Sequence, residues 1–209
     1  MASLKIVLGL GNPGPEYEGT RHNLGFRVLD RLAHEWAIEF SLPQECGRKV
    51  WIAEKRLGDE TIVLAKPRTY MNRSGRAALA LGRQYEVSAG EFLVVCDDAD
   101  LELGRIRIRE AGRAGGHNGL RSLIDVFGAP DFPRIKLGVR GESRDDCELA
   151  DYVLAPFEPE EHALVERLVE RGALAVSGVL EVGVRAAMNL HNRLDPGVGE
   201  EPKARTEPE

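Results

Sequence analysis

The sequence predicts a single α/β domain with a mixed, twisted β-sheet flanked by helices. Short apolar runs typical of buried strands alternate along the chain with segments whose apolar residues recur at helical spacing, which is the pattern of α/β proteins. The length of 209 residues suits one large domain, and 43% hydrophobic with 30% charged residues is an ordinary globular composition. This composition excludes a largely disordered chain, which needs fewer apolar residues and more net charge.

The first predicted elements are a strand and a helix joined by a loop rich in glycine and proline. Residues 5–10, KIVLGL, form a β-rich apolar run that the following GNPGP ends. A helix is predicted next, with Asn23 as its expected N-cap. Its five apolar positions recur at helical spacing: Leu24, Val28, Leu29, Leu32 and Trp36.

The middle of the chain predicts a hairpin, a helix and a central strand. The β-rich runs 50–56 and 61–65 flank LGDE, whose Gly-Asp pair is typical of a hairpin turn. Residues 74–84 are rich in Ala and Leu and predict a helix. The continuous apolar run FLVVC at 92–96 predicts a central strand buried on both faces.

The second half predicts two more strands and two helical regions. Residues 105–109 alternate Arg and Ile, which indicates a strand with one face in water. A helix is predicted over 117–127 and a strand over 135–139. Residues 159–189 are predicted to be mostly helical, with a break near Gly178.

The last residues and the cysteines bear on domain limits and compartment. Residues 194–209 contain three Pro, two Gly and five acids against two bases, so we expect a disordered acidic tail after a domain of residues 1–193. The three cysteines, far apart, indicate neither a disulfide framework nor a zinc site, and favour a reducing compartment. No segment approaches the ~20 apolar residues of a membrane span, so we expect a cytoplasmic protein.

The glycine-rich loop formally matches a dinucleotide-binding fingerprint. Gly9, Gly11 and Gly14 satisfy G-x-G-x-x-G directly after the first strand. In that fingerprint a helix opens within the glycine run, whereas here Pro13 and Pro15 interrupt the loop and helical periodicity starts only near Asn23. A dinucleotide-dependent oxidoreductase is therefore the weakest of the functional hypotheses.

A catalytic pair is predicted at the carboxyl edge of the sheet. Of the five histidines, His22 lies at a strand–loop–helix junction, where α/β proteins usually place their sites. Asp97 and Asp98 follow the strand FLVVC, and one carboxylate there could accept the imidazole N–H of His22. The pair would support general-base catalysis on water, although the residues of DDADLELG are also typical of a turn.

Three asparagines in Gly- or Pro-rich loops are candidate substrate contacts. Asn12, Asn72 and Asn118 lie in GNPG, KPRTYMNRSG and AGGHNG. An amide side chain both donates and accepts hydrogen bonds, which suits a peptide-like substrate. Each asparagine taken alone is better explained as a turn residue, whereas the three together favour substrate contacts.

A basic segment interrupts the overall acidity. The chain carries a net charge of −6, which argues against non-specific coating of nucleic acid, yet residues 105–144 hold nine Arg or Lys and four Asp or Glu. Three of these arginines, Arg105, Arg107 and Arg109, are predicted to share one strand face. Such a cluster suits phosphate groups, and no base-specific RNA module accompanies it.

Five motifs, in this order, resemble bacterial peptidyl-tRNA hydrolases. They are GLGNPGPEYEGTRHNLGF, KPRTYMNRSG, VVCDDADLELGRIRIR, AGGHNGLRSLI and FPRIKLGVRG, and the resemblance covers nearly all of the chain from Lys5 to about Asn192. It implies a phosphorylase/hydrolase-like α/β domain, monomeric and without metal or cofactor. The implied activity is hydrolysis of the ester that joins a peptide to tRNA, which recycles tRNA during translation.

The resemblance also implies roles for single residues. His22 matches the general base, Asp97 the residue that supports it, and Asn12 a contact to the peptide part of the substrate. Further positions match contacts to substrate or tRNA: Tyr17, Tyr70 (often Phe in the family), Asn72, Asn118, Arg107, Arg109 and Lys136. The alternative is a catalytically inactive RNA-binding protein on the same scaffold, which would not need to keep Asn12, His22 and Asp97 together.

Overall fold

A six-stranded mixed sheet organises the chain in the computed structural model, which describes residues 5–192 apart from the side chains at 145 and 146. The spatial order of the strands is β2-β3-β1-β4-β6-β5. Strands β3, β1, β4 and β6 run parallel, whereas the outer strands β2 and β5 are antiparallel to their neighbours. The strands are β1 (Ile6–Gly9), β2 (Val50–Leu57), β3 (Glu60–Pro67), β4 (Phe92–Glu102), β5 (Ile106–Arg109) and β6 (Arg134–Arg140).

Helices cover both faces of the sheet. Along β1, Val7 packs into a core with α1 and α5, while Ile6 and Leu8 face a second core that includes α2 and α3. This alternation follows from the two-residue period of a strand and explains why the central runs are apolar throughout. The helices are α1 (Leu24–Glu35), α2 (Ser74–Gln84), α3 (Asn118–Phe127), α4 (Leu149–Leu154), α5 (His162–Val182) and α6 (Val184–His191).

The predicted fold class is confirmed, and most elements lie where the sequence indicates them. The hairpin turns at Gly58, which adopts a φ of 62°, and the helix predicted over 74–84 has those bounds. Strand β4 continues beyond Cys96 because Asp97 and Asp98 still pair with β6. Among the described residues no helix is long and apolar enough to span a membrane.

Two local predictions are wrong. The side chain of Asn23 does not cap α1, because its amide group is used by the backbone of Asn12. The C-terminal helical region breaks at Gly183, with a φ of 82°, and not at Gly178. Gly178 instead allows close packing, since a Cβ there would lie 2.9 Å from Nε2 of His191 on α6. Helix α4 was not predicted, and the expected tail at 194–209 lies outside the described residues.

Close packing at Gly25 determines where α1 meets the sheet. A Cβ at this position would lie 2.5 Å from the carbonyl oxygen of Val95, and closer still to that of Leu10. The first turn of α1 therefore lies directly on the carboxyl end of β1 and on the neighbouring part of β4. Because His22 is only three residues earlier, this contact also places the histidine at that edge.

We expect Gly25→Ala to lower the free energy of unfolding by about 1–3 kcal/mol, because the added methyl group meets backbone oxygens that have no room to move. Helix propensity alone would predict the opposite sign, a gain of up to ~1 kcal/mol. Urea unfolding measures the difference. Gly90→Ala is the matched control, because a Cβ at Gly90 meets nothing within 4 Å; equal stabilities of the two variants would contradict the packing argument.

Candidate active site

His22 lies on a short 3₁₀ turn, Arg21–Asn23, directly before α1. The preceding residue, Arg21, is almost fully buried and forms an ion pair with Glu161 at 2.7 Å. Its backbone N–H donates to the carbonyl oxygen of Ala155 (3.2 Å), and its guanidinium packs on the rings of Tyr152 and Phe157. These contacts of Arg21 hold the turn in place, so the imidazole of His22 has little freedom to move.

Asp97 meets His22 at the carboxyl edge of the sheet. Strands β1 and β4 are parallel, with Gly9 paired to Val95, so Asp97 follows just beyond the end of β1. Nδ1 of His22 lies 2.8 Å from Oδ1 and 3.0 Å from Oδ2 of Asp97. The exposed fractions of the two residues are 7% and 2%. The structure thus brings together the two residues that the sequence analysis paired.

A second histidine, His117, contacts the same carboxylate and was missed by the sequence analysis. Its Nε2 lies 3.1 Å from Oδ1 of Asp97, and its ring centroid is 4.8 Å from that of His22. His117 is the N-cap of α3, where its Nδ1 accepts the backbone N–H groups of Gly119 and Leu120. Its place in AGGHNG, at the first position of a predicted helix, was the only sequence signal available.

These hydrogen bonds determine the proton positions on both imidazoles. Nδ1 of His117 accepts two N–H groups, so in the neutral ring the proton is on Nε2 and is donated to Asp97. The ionised carboxylate only accepts, so Nδ1 of His22 must also donate. Nε2 of His22 is consequently left with a free lone pair, which is the state that a general base requires.

The charge of Asp97 depends on these two histidines. Burial alone would raise the pKa of the Asp97 carboxyl group, but the neighbouring imidazoles of His22 and His117 outweigh burial and hold the pKa well below its usual range. Asp97 therefore remains a carboxylate at neutral pH. A fixed negative charge at Nδ1 stabilises the imidazolium that forms when Nε2 takes up a proton.

The same three side chains are the one group among the described residues that could hold a metal ion, with ligand atoms within 4.8 Å of one another. The hydrogen bonds of His117 disfavour that use. A metal ligand needs an unprotonated nitrogen, yet Nε2 of His117 carries its proton because Nδ1 caps α3. The arrangement suits proton transfer better than metal binding.

Asn12 forms part of the wall beside His22. Its backbone exchanges two hydrogen bonds with the side chain of Asn23, at 2.8 and 3.0 Å, and its Oδ1 accepts the backbone N–H of Met71 at 2.7 Å. Within the described part of the chain its Nδ2 makes no hydrogen bond. The Asn12 side chain is thus held with a donor available to a ligand.

Two cavities meet at His22. The Tyr70 cavity, of about 240 Å³, brings together the predicted contacts Asn12, Tyr17, Tyr70, Asn72 and Asn118. The Gly115 cavity, of about 280 Å³, is lined on its other sides by residues that include Asp97, Asp100, Gly115, His117 and Glu148. Asn118 borders both cavities, and Tyr17 and Tyr70 stand edge to face at 6.5 Å.

The basic residues lie at the β5–β6 end of the sheet. One of them, Arg134, is not available to a ligand because it is buried. Arg107 on edge strand β5 pairs in register with Lys136 on β6, and Arg109 is exposed. Nζ of Lys136 is 2.9 Å from Oδ2 of Asp98. Arg134, counted in the predicted phosphate-binding cluster, is fully buried and donates to the carbonyl oxygens of three loop residues: Gly112, Pro130 and Phe132.

The glycine-rich loop has no dinucleotide-binding geometry. Gly14 leads into a 3₁₀ turn, Pro15–Tyr17, and α1 begins only at Leu24. No helix therefore opens within the glycine run to present its N–H groups to a pyrophosphate. The loop instead positions Asn12 beside His22.

Comparison with known proteins identifies the family of this chain. The sequence profile described as peptidyl-tRNA hydrolase matches residues 6–200. The chain is 43% identical over 197 residues to the peptidyl-tRNA hydrolase of Synechococcus sp. (strain JA-3-3Ab), covering 92% of this chain and 84% of that protein. It is 44% identical over 190 residues to the one from Chloroflexus aurantiacus (strain ATCC 29366 / DSM 635 / J-10-fl), covering 90% and 99%.

A solved structure shows the same fold. The crystal structure of peptidyl-tRNA hydrolase from Acinetobacter baumannii superposes with a TM-score of 0.84 at 29% sequence identity, covering 94% of this chain and 98% of that one. The profile spans more than half of the chain, and relatives above 40% identity cover nine-tenths of it. The chain belongs to the peptidyl-tRNA hydrolase family.

Proposed function

We propose that this enzyme hydrolyses the ester bond between a peptide and tRNA with His22 as the general base. The observation that carries the proposal is the buried His22–Asp97 pair, which leaves Nε2 of His22 free at the junction of two cavities. Nε2 takes a proton from water as the water attacks the ester carbonyl, and Asp97 stabilises the imidazolium. The products are free peptide and tRNA.

This chemistry requires no covalent nucleophile from the chain. Cys96 is buried within β4 with its pKa raised by burial, so its thiol stays protonated. An ester has a good leaving group, and a positioned general base typically accelerates its reaction with water by about 10²–10⁴-fold. The His22–Asp97 pair can therefore account for the activation of water.

Asn12 is proposed to bind the peptide part of the substrate. Because Met71 occupies Oδ1, the side chain offers only its Nδ2–H groups, which donate to carbonyl oxygens. The same donor could stabilise the oxyanion that develops on the ester carbonyl, a contribution of about 3 kcal/mol for a well-placed group. Asn72 and Asn118 line the same Tyr70 cavity and provide further polar contacts.

The two cavities are proposed to hold the two halves of the substrate. Nζ of Lys136 lies 3.9 Å from the Cβ position of Gly115, so the Gly115 cavity adjoins the basic residues of β5 and β6. The tRNA end therefore enters from that side, with Arg107 and Arg109 at its phosphates and with Lys136, whose charge is shared with Asp98, beside them. The peptide occupies the Tyr70 cavity, where Tyr17, Tyr70 and the asparagines lie.

The proposal also includes an oligomeric state and a cellular compartment for the protein. We propose a monomer acting in the cytoplasm, where three free cysteines remain reduced. Sedimentation of the full chain tests the first statement. An inactive RNA-binding role would also use the basic residues, but it gives no reason for Asn12, His22 and Asp97 to be assembled around one cleft.

His22→Ala is expected to lower kcat/KM for N-acetylated aminoacyl-tRNA by about 10²–10⁴-fold, because the general base is removed. The measurement is release of the acetylated amino acid, run beside unblocked aminoacyl-tRNA, which the wild-type enzyme should cleave little. His34→Ala, on the exposed side of α1, is the control and should keep full activity. Full activity of His22→Ala would refute the assignment.

Asp97→Asn is expected to lower kcat/KM at least about 10²-fold, because the imidazolium of His22 loses its counter-charge. The variant should also change the pH dependence of stability. The lowered pKa of Asp97 means that its ionisation stabilises the fold above the ordinary carboxyl pKa of about 3.9, and this contribution is lost as pH falls below that value.

Unfolding in urea at several pH values checks the second part. The difference in stability between wild type and Asp97→Asn should be full at about pH 5–7 and should narrow below about pH 4. Asp125→Asn, exposed on α3, is the matched control. A difference that widens on acidification would contradict the lowered pKa.

Neutralising Arg107 and Arg109 with Gln should weaken tRNA binding, because each arginine is expected to neutralise a phosphate. The slope of log Kd against log salt should fall by about 1 for every phosphate that the variant no longer binds. Binding of deacylated tRNA across a salt series gives the slope directly. Arg83→Gln, on the exposed side of α2, should leave it unchanged. An unaltered slope in the double variant would exclude phosphate binding at β5.

A further inference from the structure

A third cavity, which borders Asn12 but not His22, has aromatic walls. It encloses about 440 Å³ at the β2–β3 end of the sheet, and we call it the aromatic cavity. Phe26, Phe40 and Trp51 form its rings, and its charged lining residues are two acids and two bases: Glu18, Asp30, Arg27 and Lys66. Phe26 and Trp51 stand edge to face at 6.4 Å, and both Phe40 and Trp51 remain partly exposed.

The charges in the aromatic cavity are already balanced. The Lys66 ammonium forms an ion pair with Asp30 and lies 4.2 Å from the ring centroid of Phe40 and 5.6 Å from that of Phe26. A paired cation over aromatic faces leaves little net charge for an anionic ligand. The ring surfaces suit an apolar side chain instead.

The aromatic cavity adjoins the Tyr70 cavity at one shared lining residue. Asn12 lines both, with its side chain held by Met71 and its backbone held by Asn23. Arg68, whose guanidinium lies 5.1 Å above the Trp51 ring, is two residues from Tyr70. A chain that leaves the Tyr70 cavity past Asn12 therefore reaches the aromatic cavity within a few residues.

The strand order places the cavities and the basic residues in a line along the carboxyl edge. Arg107 and Lys136 belong to β5 and β6 at one end, His22 and Asp97 lie where β1 meets β4, and the aromatic cavity uses β2 and β3 at the other end. With strands about 4.8 Å apart, β3 and β6 are separated by roughly 14 Å. A nucleic acid bound over β5 and β6 thus leaves the β2–β3 end for the peptide.

We propose that the aromatic cavity binds an apolar side chain of the substrate's peptide, two to four residues upstream of the ester-linked amino acid. An extended peptide covers about 3.3–3.6 Å per residue, so this stretch spans roughly 7–14 Å, enough to pass Asn12. The proposal rests on the proposed function. It predicts that the enzyme distinguishes peptides by their upstream sequence, which the chemistry at His22 alone would not do.

The test compares substrates that reach the aromatic cavity with one that does not. The substrates are N-acetyl-alanyl-tRNA and two acetylated pentapeptidyl-tRNAs ending in alanine, one with Phe and one with Gly at the four upstream positions. Wild-type enzyme should show a kcat/KM about threefold to tenfold higher for the Phe peptide than for the Gly peptide, the usual value of an aromatic contact. Trp51→Ala should abolish this preference and leave N-acetyl-alanyl-tRNA unchanged.

Controls separate a binding role from a structural one. Trp51→Phe keeps a ring and should retain most of the preference, while Leu174→Ala, exposed on α5, should retain all of it. Equal decreases on all three substrates in Trp51→Ala, or no preference in the wild-type enzyme, would overturn the proposal. If wild type failed to cleave N-acetyl-alanyl-tRNA, the proposed function itself would fail, which is a distinguishable result.

Discussion

The carboxylate of Asp97, buried at the sheet edge between two imidazoles, is the interaction on which the site depends. It accepts one N–H from His22 and one from His117, and this double contact keeps it ionised despite its burial. His117 in turn caps α3, so the helix and His22 are oriented by one charge. A substitution of Asp97 or of either histidine is therefore expected to alter both the local fold and the orientation of His22.

The packing around this carboxylate is unusually close. Gly25 lets the first turn of α1 touch the end of β1 and the backbone of β4 at Val95, and the buried Arg21–Glu161 pair connects the His22 turn to the segment after α4. Ala150 and Val153 on α4 line both cavities at His22. The walls of the cleft are therefore attached to the same scaffold that holds the base, which favours a preorganised site.

The order of the strands in the sheet determines the order in which the basic residues, His22 and the aromatic cavity lie. Parallel strands bring their carboxyl ends to one edge, so residues from β1, β4 and β6 face the same substrate. The basic residues, the base and the aromatic cavity then lie at successive positions along it. This geometry explains how a chain with a net charge of −6 can bind tRNA, because the positive charge is concentrated at one end.

The sequence alone determined the order and type of nearly all elements, since periodicity and turn residues act over a few positions. It also predicted that His22 and Asp97 meet, although 75 residues separate them, because strand ends predict a common edge. Only the tertiary structure decided that Asn23 binds Asn12 instead of capping α1, that Arg134 is buried, and that His117 joins Asp97. These outcomes depend on which side chains meet across the sheet, and local sequence patterns carry no information about such long-range contacts.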